Sequence, residues 1–432
     1  MPIVVSQLGQ TMVHLVDSVI VGHFAGTIQL AAVSLVNSLF ILVMVLGMGI
    51  AYGLTPLIAK ENGGKNFAEC GRLLSNSLLI NIGTGIILYL IVNNGTLLVI
   101  DHIGQSPQVV FYAKPYLQYL GLSILPVMVF LTFKQFAEGL GFTKQAMYIS
   151  IWGNLINMVI GIILVKGMFG ISPMGVKGVG ISTLIDRILM ALVMGIYVFR
   201  SKNFKVYLED FRLFFIDKLR STQIFRIGAP VALQYSFEIG AFSGAAILIG
   251  TIGAVEQAAH QVAINLASIT YMLCSGIASA ATIKTGNNLG RKNFTDLRRS
   301  AIASYHVILA FMALTAIMFI CANNLLPFIY TEDTAVIHIA SQLLIIAGFF
   351  QLFDGTQVVG LGILRGIGDV NIPTIITFIA YWIIGIPLGY ILGIRCGYGV
   401  YGIWYGLTTG LLTASIMLFF RFQKRTRKLA AA

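Results

Sequence analysis

Three stretches of this chain contain no Asp, Glu, Lys or Arg: residues 18–59, 257–283 and 300–331. An α-helix crosses the hydrocarbon core of a bilayer with about 20 apolar residues. The first stretch is therefore long enough for two spans and each of the others for at least one. A soluble domain carries about 25% charged residues, whereas this chain carries 10%, with 57% hydrophobic residues. A water-exposed surface cannot be built from it, so the chain is read as an all-α integral membrane protein. Apolar runs set against Gly, Pro and charge place spans near 2–24, 33–59, 73–94, 115–138, 145–168 and 176–199. A second set falls near 223–252, 257–284, 300–322, 337–365, 372–394 and 400–422.

The formal charge of +12 is not a nucleic-acid signature, because its bases are unevenly distributed. On one side lie the loops 60–72, 200–222 and 284–299 and the tail residues Arg421, Lys424, Arg425, Arg427 and Lys428. On the other side the bases are few: Lys114, Lys166, Lys177 and Arg395. The basic side of a membrane protein faces the cytoplasm. Both termini are therefore expected inside, in a multi-pass protein of the plasma (inner) membrane. Met1 leads directly into an apolar span without a charged n-region, so no cleavable signal peptide is expected. Cys70, Cys274, Cys321 and Cys396 show no paired spacing and read as small apolar fillers. The segment 200–222 spaces Phe204, Leu208, Phe211, Phe215 and Leu219 at a helical period between charges. It is expected to be an amphipathic helix on the inner membrane face, linking an N-lobe (1–199) to a C-lobe (223–432).

The chain also repeats itself. Shifted by 228 positions, Pro2, Gly22, Gln29, Ala31 and Asn37 fall on Pro230, Gly250, Gln257, Ala259 and Asn265. With a shift of 227, Gly49, Ala51, Thr55, Gly63, Lys65, Asn66, Phe67 and Arg72 fall on Gly276, Ala278, Thr282, Gly290, Lys292, Asn293, Phe294 and Arg299. Gly139 and Gly141 fall on Gly366 and Gly368, and Gly175 and Gly178 on Gly399 and Gly402. Six spans per repeat give the halves one orientation, so a pseudo-twofold axis along the membrane normal is expected. Parallel repeats of this kind recur in secondary transporters, with the substrate path between the halves.

A charge in a bilayer costs about 2.5–3.5 kcal/mol even on the insertion scale, which makes every intramembrane charge a functional candidate. Asp17, Lys134, Glu138, Asp186, Arg187, Glu238 and Asp354 fall within spans. Glu238 and Asp354 lie near mid-span, and no base of the second half is expected at their depth. Two acids there can hold a sodium ion through oxygen ligands, or share a proton because both cannot remain ionised. Asp17 stands alone in span 1. Its repeat partner is Ala245, and that of Glu238 is Gln10, so the lobes are expected to do different work. Lys134 and Glu138 are four apart on one helix face and read as a structural pair. Asp186 and Arg187 are adjacent, do not face one another, and need partners elsewhere. The histidines show no metal spacing, and His260 reads as a helix-packing hydrogen-bonding group. No nucleotide-binding, hydrolase or metal motif appears, so no enzyme activity and no cofactor are expected. The Phe and Met content suits flat cationic compounds through stacking and cation–π contact.

These residues resemble the MATE (multidrug and toxic compound extrusion) transporters over essentially the whole chain. The resemblance rests on Gln7-Leu-Gly-Gln10 followed by Val16-Asp17-Ser18-Val-Ile-Val-Gly22, on Ala259-His260-Gln261-Val262-Ala263-Ile-Asn265, and on Gly360-x-Gly362-x-x-Arg365-Gly366-x-Gly368-Asp369. The acids are placed as in the NorM-like branch. There the resemblance makes Glu238 and Asp354 the cation site and implicates Asp17, with Asn157, in proton or substrate handling. It implies export of cationic or aromatic compounds in exchange for H+ or Na+, by a monomer contacting membrane lipids. Two positions depart from the family. Gly161 stands where many members carry a second Asn or Asp, and Phe350 stands one turn before Asp354 where some carry Tyr. The missing hydroxyl tilts the expectation toward proton coupling or weak sodium dependence. The nearest competing function is a lipid-linked oligosaccharide flippase of the same superfamily, whose central cavity is more cationic. An intramembrane enzyme or an uncoupled channel would need a nucleophile cluster or a selectivity filter that the sequence lacks.

Overall fold

The computed structural model describes residues 2–102, 106–213 and 215–431, with side chains described except at 7–15, 96, 97, 99 and 431. The Gln7–Gln10 motif therefore lies outside the described side chains. Among the described residues the chain is helical and has no strand. The first half runs α1 (Pro2–Phe24), α2 (Thr27–Tyr52), α3 (Leu54–Gly63), α4 (Phe67–Leu90), α5 (Pro107–Leu122), α6 (Ile124–Gly139), α7 (Thr143–Lys166) and α8 (Val176–Arg200). The second runs α9 (Lys218–Gly250), α10 (Ala254–Gly290), α11 (Phe294–Cys321), α12 (Thr334–Gly366), α13 (Asn371–Phe378) and α14 (Gly399–Ala431). Helix α13 continues to Arg395 through two π-helical stretches. The pairs α2/α3 and α5/α6 each form one rod. Eleven rods are long and apolar enough to cross a membrane, and the 23-residue α1 completes the twelve expected spans.

Two rods start or break where the pattern did not say. Pro115 reads as a span start, yet it lies inside α5. That helix begins at Pro107, with Ser106 accepting a hydrogen bond from the Val109 amide at 3.4 Å. Proline at the first helical position loses no hydrogen bond there. Helix α2 ends at Gly53, where an added Cβ would lie 2.8 Å from the Gly228 nitrogen of α9. Only glycine permits that backbone approach.

The repeat is written into the backbone. Lys65 and Lys292, equivalent positions in the two halves, both take φ near +60° (60° and 55°). Gly141 and Gly368 also pair, at φ 93° and 74°, a region L side chains rarely enter. By contacts the chain divides into two compact units, 2–232 and 233–432, and the division falls inside α9.

The 200–222 segment is not the amphipathic helix its periodicity suggests. It forms a short 3-10 turn (Lys202–Tyr207), an irregular strap and the first turn of α9. The helical option loses because α3, α4 and neighbouring helices supply specific partners for the strap. Phe204 is buried against Phe136, Phe142 and Tyr197. The Tyr207 hydroxyl donates to Asn62 Oδ1 at 3.0 Å. The Arg212 and Asp217 amides donate to Ser75 Oγ (3.0 Å) and Asn76 Oδ1 (2.7 Å). Asp217 then caps α9 by accepting from the Leu219 amide at 2.8 Å. Arg220 grips Glu69 with two hydrogen bonds, 2.6 and 2.7 Å, and pairs with Asp217 as well.

This clamp has a stability consequence. Glu69 and Arg220 are largely buried, at 18% and 15% side-chain exposure, whereas the Lys114–Asp101 pair is exposed at 41% and 45%. Breaking a shielded bidentate pair costs about 1.5–3 kcal/mol, and an exposed pair about 0–1 kcal/mol. Glu69→Ala is expected to lower the melting temperature of the purified protein clearly more than Lys114→Ala. Equal shifts would show that the strap is not held by this pair.

Candidate functional site

In the first unit Asp17 is buried at 1% exposure on α1. With the Asn157 amide of α7 turned to satisfy both neighbours, its nitrogen donates to Asp17 Oδ1 at 3.1 Å and its carbonyl accepts from the Thr183 amide at 3.2 Å. The Thr183 hydroxyl of α8 donates to Asp17 Oδ2 at 3.2 Å. Tyr116 of α5 lies against Asp17 and also donates to Asn37 Oδ1 at 3.3 Å. The two predicted first-lobe residues, Asp17 and Asn157, thus meet directly. Gly161 leaves no gap in this network: an added Cβ would stand 3.3 Å from Ile20 and from the Ser182 hydroxyl.

Arg187 finds the partners that the sequence left open, whereas both carboxylate oxygens of Asp186 are buried without a hydrogen bond. The Arg187 guanidinium donates to Ser123 Oγ at 2.6 Å, stacks over Phe40 at 5.1 Å and acts electrostatically on Asp17. Asp186 Oδ1 lies against Gly153, and Arg187 acts on this carboxylate electrostatically. Lys134 and Glu138 form the expected i,i+4 pair, 3.8 Å apart, with side chains 0% and 2% exposed. In the second unit His260 accepts a hydrogen bond from the Trp404 indole at 3.1 Å, the packing role expected of it.

That unit also holds the second acidic site. Glu238 of α9 and Asp354 of α12 occupy the same position in two 33-residue helices. They are 5% and 3% exposed, and close enough for each charge to act on the other. Asp354 Oδ1 is buried without a hydrogen-bond partner. The Tyr271 hydroxyl of α10 lies beside Glu238. The Tyr381 hydroxyl, from the π-helical stretch Ile379–Gly385, donates to Gln357 Oε1 at 3.0 Å and lies within electrostatic reach of both acids. A π-helical turn widens the helix and re-aims its side chains, which recurs at functional sites. A narrow cleft of about 20 Å³ opens beside Glu238, with Gln234, Tyr235, Tyr271, Ser275 and Arg365 in its wall.

One expectation fails here. Glu238 does not lack a basic neighbour: the Arg365 guanidinium reaches it electrostatically and sits 5.6 Å from the Tyr235 ring. Position along the chain puts Arg365 at the helix end, but a helical side chain leans toward its own N-terminus, which carries the charge back into the site. Phe350 is 2% exposed and packs on Trp404 (5.4 Å) and Phe242 (6.0 Å), so it is a core ring. Among the described residues no three His, Cys, Asp or Glu side chains cluster for a metal.

A single family model, MatE, matches twice, over residues 2–163 and 230–391, at the spacing of the internal repeat. The chain belongs to the MatE family. It is a transporter and not an enzyme. It is 32% identical over 432 residues to the probable multidrug resistance protein NorM of Xanthomonas axonopodis pv. citri, covering 100% of this chain and 94% of that one. Identity to the multidrug resistance protein NorM of Photobacterium profundum is 34%, with coverage of 98% and 93%. The crystal structure of a eukaryotic MATE transporter has the same fold, with TM-score 0.89 at 20% identity and 99% and 96% coverage. An outward-facing MATE family multidrug transporter matches with the same score and 100% and 95% coverage.

Tyr116, Thr183, Tyr271, Tyr381 and Arg365 escaped the sequence reading. A signal existed for the tyrosines, since a hydroxyl within an apolar span must find a partner. The Asp17 network is testable without a substrate. Thr183→Val keeps the side-chain volume and removes the donor to a buried carboxylate, a loss of about 1.5–3 kcal/mol. The melting temperature of the purified protein should fall by several degrees. An unchanged value would show that this hydrogen bond does not hold Asp17.

Proposed function

We propose that this MatE-family protein is a secondary active exporter of cationic or aromatic drugs, driven by exchange for H+ or Na+ at Glu238 and Asp354. The observation that carries the reading is the Asp354 oxygen that is buried beside a second acid and has no hydrogen-bond partner. An ionised carboxylate left that way is costly in an apolar interior, and a proton or a small cation removes the cost. A site that must be filled to be stable, and that ion exchange can empty, is what a gradient-driven cycle requires. Asp17 and Asn157 supply the proton or substrate handling of the first lobe. The names of the relatives support drugs as the cargo. Arg187 and Arg365 each face an acid and so build no anion cradle, which disfavours a pyrophosphate-bearing lipid.

The coupling ion is the proton, with weak sodium dependence, in this reading. The Phe350 ring is enclosed by Trp404 and Phe242 and offers no oxygen one turn from Asp354. The protein works as a monomer in the plasma (inner) membrane, with its basic tail and both termini in the cytoplasm.

Efflux of a fluorescent organic cation from proteoliposomes, under separate pH and sodium gradients, tests this. Glu238→Gln and Asp354→Asn should each abolish gradient-driven efflux while membrane accumulation stays near parental. Either variant transporting at the parental rate would remove its carboxyl from the mechanism. Phe350→Tyr should raise the sodium-driven share. Strong sodium-driven efflux by the parent at constant pH, unchanged in the Tyr variant, would overturn the choice of proton.

A further inference from the structure

We infer that Arg365 is a tethered counter-ion for Glu238: it occupies the carboxylate when the coupling cation has left and is displaced when that cation returns. The inference rests on the reading of Glu238 and Asp354 as the coupling site.

Four observations on α9, α10 and α12 carry it. Asp354, Val358, Leu361 and Arg365 follow one another along a single face of α12, and the last three line the cleft in which Glu238 stands. The tilt of helical side chains toward the N-terminus aims Arg365 back along that face, toward the acids. Its guanidinium rests beside the Tyr235 ring, on the same helix as Glu238 and three residues before it, and acts on Glu238 electrostatically. Its buried Nε has no hydrogen-bond partner. The guanidinium is therefore held by a ring face and an attraction across the cleft, an arrangement that lets it swing. The other charged or titratable groups facing Glu238 are Tyr235 on its own helix, Tyr271, Asp354 and Tyr381. None of these carries positive charge.

The repeat indicates that this charge is not inherited packing. Shifted by 227, Arg365 falls on Glu138 of the first unit, where the charge is reversed and is paired with Lys134. The surrounding crossing is preserved. Thr55 donates to Gln135 Oε1 at 2.6 Å, and its equivalent Thr282 donates to the Gly362 carbonyl at 2.8 Å, Gln135 and Gly362 being equivalent positions. The backbone frame was kept while the charge changed sign, and the arginine appears in the unit that holds the acidic pair. A permanently charged arginine within reach also explains how Glu238 can release its cation without standing uncompensated in an apolar wall.

The test is proteoliposome efflux of a fluorescent organic cation, titrated against the concentration of the driving cation. Arg365→Gln should lower the half-saturating concentration of that cation several-fold, because the internal competitor is gone. It should also lower the maximal rate, because the cation-free return now exposes Glu238. Arg365→Lys cannot stack on Tyr235 as guanidinium does, and it should shift half-saturation in the same direction by less. Parental values of both parameters in Arg365→Gln would overturn the inference. If that variant does not accumulate in membranes, Arg365→Lys decides: a lowered half-saturation supports the counter-ion, and a parental value overturns it. Gradient-driven efflux that survives Glu238→Gln would instead refute the coupling site itself, and this inference with it. Loss of efflux in Glu238→Gln with parental Arg365→Gln refutes the counter-ion alone.

Discussion

A carboxylate inside an apolar helix bundle must be neutralised, hydrogen-bonded or paired, and much of this molecule is arranged around that requirement. Asp17 meets it with fixed donors, the Asn157 amide and the Thr183 hydroxyl, and with the Arg187 charge nearby. Glu138 meets it with Lys134. Glu238 has one tyrosine and one arginine, and Asp354 keeps a bare oxygen. The degree of satisfaction falls from Asp17 to Asp354. Of Glu238 and Asp354, the acid with fewer permanent partners is the one placed to hold a transient one, while in the first unit Asp186 is buried with neither oxygen hydrogen-bonded.

The two halves show how one frame can be given two chemistries. Backbone features persist at equivalent positions: the left-handed Lys65 and Lys292, and the glycines 141 and 368. The polar side chains diverge. Asp17 corresponds to Ala245 and Glu138 to Arg365. These turns are fixed by their positive φ, which the helix ends on either side require, whereas a side chain in a cleft is free to change once its partner changes. The strap is fastened to α4 by Ser75 and Asn76, and Arg220 just beyond it grips Glu69.

Much of this was legible in the amino-acid order. Charge-free stretches, punctuated by Gly and Pro, reveal the spans because a bilayer leaves the backbone few other options. The nearness of Glu238 and Asp354 is foreshadowed by each lying near the middle of its own span. What escaped depends on side-chain direction and on partners distant in sequence. Arg365 sits beyond the acids along the chain yet leans back among them. Tyr271 and Tyr381 belong to helices whose rotation no periodicity of their own reveals, the second being turned by a π-helical stretch. The strap has a helical spacing of Phe204, Leu208 and Phe211, but Asn62, Ser75 and Asn76 offered its backbone and side chains better hydrogen bonds than a membrane surface would.

The central claim is that the coupling cation resides on Glu238 and Asp354 and leaves when an organic cation is taken up. The most direct measurement is ion release from the purified protein on addition of an organic cation, followed by a pH indicator in weak buffer and by a sodium-selective electrode. The account predicts release of a proton, or of sodium, by the parent protein and of neither by a variant carrying both Glu238→Gln and Asp354→Asn. Undiminished release by that double variant would contradict it.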